Sequence, residues 1–159
     1  MFAWEQRTPV TGVYYHRRRS KYMIQTAKAT EETRLFIGGF SGFSVRDAAE
    51  AREFYANVLG LDVSDNMGGL KFRIPNGDNV FVYEKQDHEP ATFTVFNLEV
   101  RDIAQAVDHL STRGVKFLPY GGEIATDEKG IHWGAKDGNG PNIAWFEDPS
   151  RNIFSVIEK

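Results

Sequence analysis

Residues 43–63, FSVRDAAEAREFYANVLGLDV, are echoed at residues 98–117 as LEVRDIAQAVDHLSTRGVKF. Val45, Asp47 and Ala51 match Val100, Asp102 and Ala106 at a constant offset of 55, and a one-residue gap then sets Gly60 on Gly114. Both copies have the same physical reading. Apolar residues at every second position (Phe43 and Val45; Phe96, Leu98 and Val100) predict a half-buried strand. Asp47 and Asp102 follow where a helix needs an N-cap acceptor for its free backbone N–H groups. The predicted helix faces are Ala51, Phe54, Tyr55 and Val58 in the first copy and Ala106, His109 and Leu110 in the second. Gly60 and Gly114 then stand where a left-handed stop is wanted.

The repeat runs on. LKFRIPNGDNVFVYE (70–84) and IAWFEDPSRNIFSVIE (143–158) each read as strand, Pro-containing turn, strand. Pro75 falls on Pro149 and, after a one-residue gap, Asn79 falls on Asn152 and Val82 on Ser155. The expected fold class is therefore α+β, with two βαβββ modules at residues 35–86 and 91–158. The polar linker QDHEP at 86–90 joins them, and a leader at 1–34 precedes them. Two copies of this length suggest pairing rather than the stacking of a solenoid.

Composition narrows the function classes. At 159 residues the chain is long enough to bury a real core, and 41% hydrophobic with 26% charged residues is a globular balance. No apolar run approaches the ~20 residues of a membrane-spanning helix. Cysteine is absent, which excludes disulfides, thiolate metal sites and cysteine nucleophiles and fits a cytoplasmic setting. The formal charge is −3, yet residues 1–22 hold Arg7, Arg17, Arg18, Arg19 and Lys21 against Glu5 alone. The remaining body is clearly acidic, so no nucleic-acid partner is expected. Met23 follows the basic cluster. Residues 1–22 therefore read either as translated upstream sequence before a start at Met23 or as a surface arm.

VRDAAEAREFYANVLGL and AWFEDPSRNIFSVIE, in this order within a duplicated frame, resemble the vicinal oxygen chelate superfamily. This is the group of glyoxalases, bleomycin resistance proteins and extradiol dioxygenases. The resemblance covers residues 35–158 and implies a half-open mixed-sheet barrel around a ligand cavity, and commonly a homodimer. Metal-dependent members place His on the first strand of a module and Glu on its last. Carried onto this sequence, the first-strand positions are Phe40 and Val95 and the last-strand positions are Val82 and Ser155. None is a strong ligand for a divalent ion, so the expectation is no metal and no cofactor.

If those four residues face the cavity, strand alternation adds Gly42, Ser44, Val80, Glu84, Asn97, Glu99, Ile153 and Ile157. Trp133, Trp145 and Tyr120 offer flat walls. The expected ligand-binding set is Phe40, Ser44, Val82, Glu84, Val95, Asn97, Glu99, Trp133, Trp145 and Ser155, with no catalytic residue assigned. Of the histidines, His16 lies in the leader, His88 in the linker and His109 on the second helix, which leaves His132 nearest a cavity mouth. Two functions stay open. One is a metal-free small-molecule-binding protein; the other is an enzyme of the lyase, isomerase or dioxygenase type with a non-standard or metal-free site. In the second, Glu84, Glu99 or His132 would act as acid or base.

Overall fold

The computed structural model describes residues 35–159 except 76 and 78, so the expectations for the leader, including Met23 and His16, lie outside the described residues. The chain divides into Met1–Ile37, of which residues 35–37 are described and exposed, and a compact unit Gly38–Lys159. The compact unit holds two four-stranded mixed sheets and a few helices, with no closed barrel.

The first module contributes β1 (Ser41–Val45), β2 (Asp62–Asn66), β3 (Gly69–Arg73) and β4 (Asn79–Glu84), arranged β1-β4-β3-β2. The second contributes β5 (Thr94–Val100), β6 (Ile131–Trp133), β7 (Asn142–Glu147) and β8 (Ile153–Glu158), arranged β5-β8-β7-β6. In each sheet the first and last strands run parallel and the other pairs antiparallel. A crossover helix is what parallel pairing requires. Here these are α1 (Ala48–Glu53), which continues into a π-helical turn at Phe54–Val58, and α2 (Ile103–Thr112). A short α3 (Gly134–Asp137) follows β6.

The helices start as their caps dictate. The Asp47 carboxylate accepts from the Ala49 and Glu50 N–H groups at 2.8 and 2.9 Å, and Asp102 from that of Gln105 at 2.9 Å. A second cap comes from the far end of each module. Glu84 on β4 accepts from the Ala48 N–H, and Glu158 on β8 from the Ile103 N–H, both at 3.0 Å. Gly60 (φ 72°) and Gly114 (φ 91°) end the helical segments in the left-handed region, where glycine alone is unstrained. On α2 the buried stripe is Ile103, Val107 and Leu110, while His109 is exposed. That corrects the expected face, because spacings of four and three carry the apolar stripe past Ala106 and His109.

One core joins the modules. Phe43, Phe72, Val80 and Val82 from the first sheet meet Phe96, Phe146, Phe154 and Val156 from the second, with Phe54 and Tyr55 between them. Phe43 lies edge-on to Phe154 at 5.6 Å between ring centroids, and Phe72 to Phe96 at 5.4 Å. Each fully buried aromatic contributes about 1.5–3 kcal/mol of transfer free energy, so this cluster is the main cohesion between modules.

The sheet register corrects one expectation. Leu70 pairs with Val82 and Phe72 with Val80, and all four are buried on the helix side. Phe81 and Tyr83 therefore face outward, the reverse of the expected β4 alternation. Because Glu84 and Glu158 do the same job, Phe81 rather than Val82 is the counterpart of Ser155. Both also sit beside matching first-strand residues, Gly42 with Phe81 and Asn97 with Ser155.

Candidate functional site

With the helix faces spent on the shared core, the candidate surface is the outer face of each sheet. On the second sheet, Ser155 lies between Asn97 on β5 and Trp145 on β7. Its hydroxyl donates to Asn97 Oδ1 at 2.6 Å, and the residue is fully buried. Tyr120 meets Trp145 edge-on at 5.1 Å, and His132 tilts against the same indole at 6.4 Å. His132 is buried. Its Nδ1 lies 3.2 Å from the Ala125 carbonyl, an acceptor, so Nδ1 carries the hydrogen. The result is an aromatic wall beside one hydroxyl–amide pair.

On the first sheet, Gly42, Ser44, Lys71, Phe81 and Tyr83 share the outer face. Phe81 stacks with Tyr83 at 6.0 Å and meets Phe40 edge-on at 6.1 Å. A recess of about 290 Å3 opens here between Gly39, Phe40, Asn66, Lys71, Asn79 and Phe81. A larger open cleft of about 1440 Å3 lies where the modules meet. Phe40, Asn97 and Glu99 reach it, together with Arg101, His109 and Lys159 and with residues at the apolar edge of the core such as Leu59, Leu61, Phe96 and Leu98.

The sequence-expected set thus divides. Asn97, Trp145 and Ser155 come together on one outer face, and Phe40 sits on the other. Ser44 is there too, but its hydroxyl is taken. It donates to His88 Nδ1 at 2.9 Å, while His88 Nε2–H donates to the Ser150 carbonyl at 3.0 Å. Val82 is buried on the helix side and Glu84 caps α1, so neither lines the outer face. Val95 packs against the core at a β5 irregularity that breaks the strand alternation. Glu99 is exposed and paired with Lys159 at 2.8 Å. Trp133 points to the opposite side from Trp145 and donates through Nε1 to Asp127. Burial pushes the Asp127 carboxyl up, but bonds from Ile131, Trp133 and Lys129 outweigh it and hold the group below the usual carboxylate range.

The turn at 148–152 has a role that its sequence hid. The Asp148 carboxylate is buried and accepts from Tyr55 Oη at 2.6 Å, the Ser150 and Asn152 N–H groups and Asn152 Nδ2. Asn152 Nδ2 also donates to the Ser44 carbonyl, and Ser150 Oγ accepts from the Arg46 N–H. This turn therefore bolts the second module onto β1 and α1 of the first. Burial, and then the adjacent Asp148 carboxylate, hold the Tyr55 hydroxyl far above its ordinary range.

The residues do not fit a metal centre. The corrected positions are Phe40, Phe81, Val95 and Ser155, a set with one weak donor. Among the described residues no three His, Asp or Glu side chains come together in a way that would hold an ion.

The sequence model of the Glyoxalase/Bleomycin resistance protein/Dioxygenase superfamily matches residues 39–156. The chain belongs to this superfamily. No curated protein matches it. Among solved structures, it is similar to TnmS3, an antibiotic binding protein from Streptomyces sp. CB03234. The identity there is 19% and the TM-score 0.53, over 79% of this chain and 98% of that one. FosX, a genomically encoded fosfomycin resistance protein from Listeria monocytogenes, is 14% identical with a TM-score of 0.55, over 78% and 95% of the two chains. A superfamily member from Sphaerobacter thermophilus DSM 20745 is 22% identical with a TM-score of 0.53, over 77% and 98%. At such identities these likenesses establish the superfamily fold. Among the described residues no helix is long and apolar enough to cross a membrane.

Proposed function

We propose that this superfamily member binds a small organic molecule without a metal, in a cavity built from the outer sheet faces. The supporting observation is the make-up of those faces. Aromatic walls (Trp145 with Tyr120; Phe40 with Phe81) stand beside hydrogen-bonding groups, the Ser155–Asn97 pair on one face and Lys71 with Asn66 and Asn79 on the other, where metal-dependent relatives would need imidazole and carboxylate. The antibiotic-binding and fosfomycin-resistance relatives are consistent with such a role. The outer face of the first sheet is open in a single chain, with Phe40 65% and Tyr83 41% exposed, so a second copy is proposed to close the cavity.

The test combines metal analysis with a ligand screen read by thermal shift. The expected results are less than stoichiometric divalent metal, a dimer by light scattering, and organic ligands that raise Tm. Ser155→Ala should lower ligand affinity and cost about 0.5–1.5 kcal/mol of stability, the net worth of one hydrogen bond. Stoichiometric metal whose removal abolishes an activity would overturn the binding-only reading.

A further inference from the structure

The charges on the outer faces indicate the sign of the ligand. Acidic side chains at the ends of β4, β5, β7 and β8 have partners. Glu84 and Glu158 hold helix N-termini, Glu99 is paired with Lys159, and Glu147 lies 3.6 Å from Arg151. On the outer face of the first sheet Asp62 stands across from Arg73, which leaves Lys71 as the charge beside the recess. Lys71, in the middle of β3, is half-buried and lines the 290 Å3 recess. Its cross-strand neighbours are Phe81 and Ser64, and among the described residues it has no ion-pair partner.

The other described residues of the recess are neutral. Phe40 and Phe81 meet edge to face and form an apolar corner, while Asn66 and Asn79 bring amide groups that can donate or accept. The volume lies at the lower end of the ~300–1,000 Å3 typical of ligand sites, so the fit is a one- or two-ring compound. An aromatic ring suits the corner. A half-buried ammonium beside low-dielectric walls attracts an anion more strongly than a surface lysine does.

We propose that the recess binds a planar aromatic carboxylate, with the ring against Phe40 and Phe81 and the carboxylate on Lys71. This rests on the small-molecule reading above and adds the sign and class of the ligand. It also reverses the attraction for cations that the acidic body alone would suggest.

The test is calorimetric titration of the full chain with naphthoate, neutral naphthylmethanol and cationic naphthylmethylammonium, repeated with Lys71→Met and Lys71→Arg. In the unaltered protein naphthoate should bind about tenfold or more tightly than the other two, as one charge-assisted hydrogen bond implies, and should weaken as salt rises. Lys71→Met should abolish the preference, so that naphthoate binds no more tightly than naphthylmethanol, while Lys71→Arg should retain it. Thermal unfolding establishes that each variant is folded. Naphthylmethanol binding as tightly as naphthoate overturns the charge assignment but leaves a small-molecule site in place. A preference that survives in Lys71→Met overturns the role of Lys71. Failure of all three probes to bind overturns the ligand class, and the broader binding function is then decided by its own screen.

Discussion

Tyr55 and Asp148 show how much one residue pair carries. The Tyr55 hydroxyl lies in the core and donates to a buried carboxylate that already accepts from the Ser150 and Asn152 backbone and the Asn152 amide. Ionising the phenol there would bury a second negative charge against the first, so folding holds the proton on. The sign of the pH dependence follows. A tyrosine whose folded pKa lies above its unfolded value of ~10 contributes stability that is complete below that pH and is lost as pH rises above it. Urea unfolding between pH 8 and 11 should therefore show stability falling above about pH 10 by roughly 1.4 kcal/mol per pH unit from this group. Tyr55→Phe should remove that component of the slope and cost about 1.5–3 kcal/mol at neutral pH, the loss of a hydrogen bond to a charged acceptor. An unchanged alkaline slope in the variant would show that the decline arises elsewhere.

Secondary-structure elements differ in how far their sequence announces them. The repeat was legible because caps and stops are local chemistry: Asp47, Asp102, Gly60 and Gly114 do in the structure what their residue types suggest. Strand β8 is legible too, since Ser155 interrupts apolar alternation and marks the outer face; on β5 Asn97 does the same, but Val95 departs from the alternation at an irregularity. The β4 strand was not. Val80, Phe81, Val82 and Tyr83 are all apolar or aromatic, so a period of two has no contrast to reveal. Its face is decided by partners distant in the chain, Leu70 and Phe72 on β3 and the helix that Glu84 caps. Residues 148–152 have the sequence of a Pro-containing turn, and the turn's bonds to Tyr55, Ser44, Arg46 and His88 depend on tertiary proximity that spacing does not encode. One strain in that turn is visible, because Arg151 has φ 66°, a left-handed conformation unfavourable for a residue with a Cβ. Its ion pair with Glu147 is largely exposed and worth little. Arg151→Gly should therefore stabilise the protein by about 0.5–1 kcal/mol, read as a higher urea midpoint at unchanged m-value. A lower midpoint would mean that the Arg151 side chain contributes more than its backbone strain costs.

On the scale of the whole molecule, the repeat suggests two independent halves, but the packing makes them one. Each module is small enough that burying one sheet face under one helix leaves it marginal by itself. The rings that finish each core come from the other module: Phe43 and Tyr55 against Phe154, Phe54 against Phe146, and Phe72 against Phe96. The Asp148 turn adds polar bonds across the same junction, and Arg113 on the second module reaches the carbonyls of Asn57 and Val58 on the first. Exposing either half would uncover aromatic surface on the other, so partial unfolding has no stable stopping point. Residues 38–159 should therefore unfold in one cooperative transition. The described tryptophans, Trp133 and Trp145, both lie in the second module and report on it by fluorescence, whereas far-UV circular dichroism reports on both sheets. The two denaturation curves should coincide, and Tyr55→Phe should shift them together although its residue lies in the first module. A fluorescence midpoint that separates from the dichroism midpoint would show that the modules fold as separate units, and that the aromatic junction is weaker than its geometry implies.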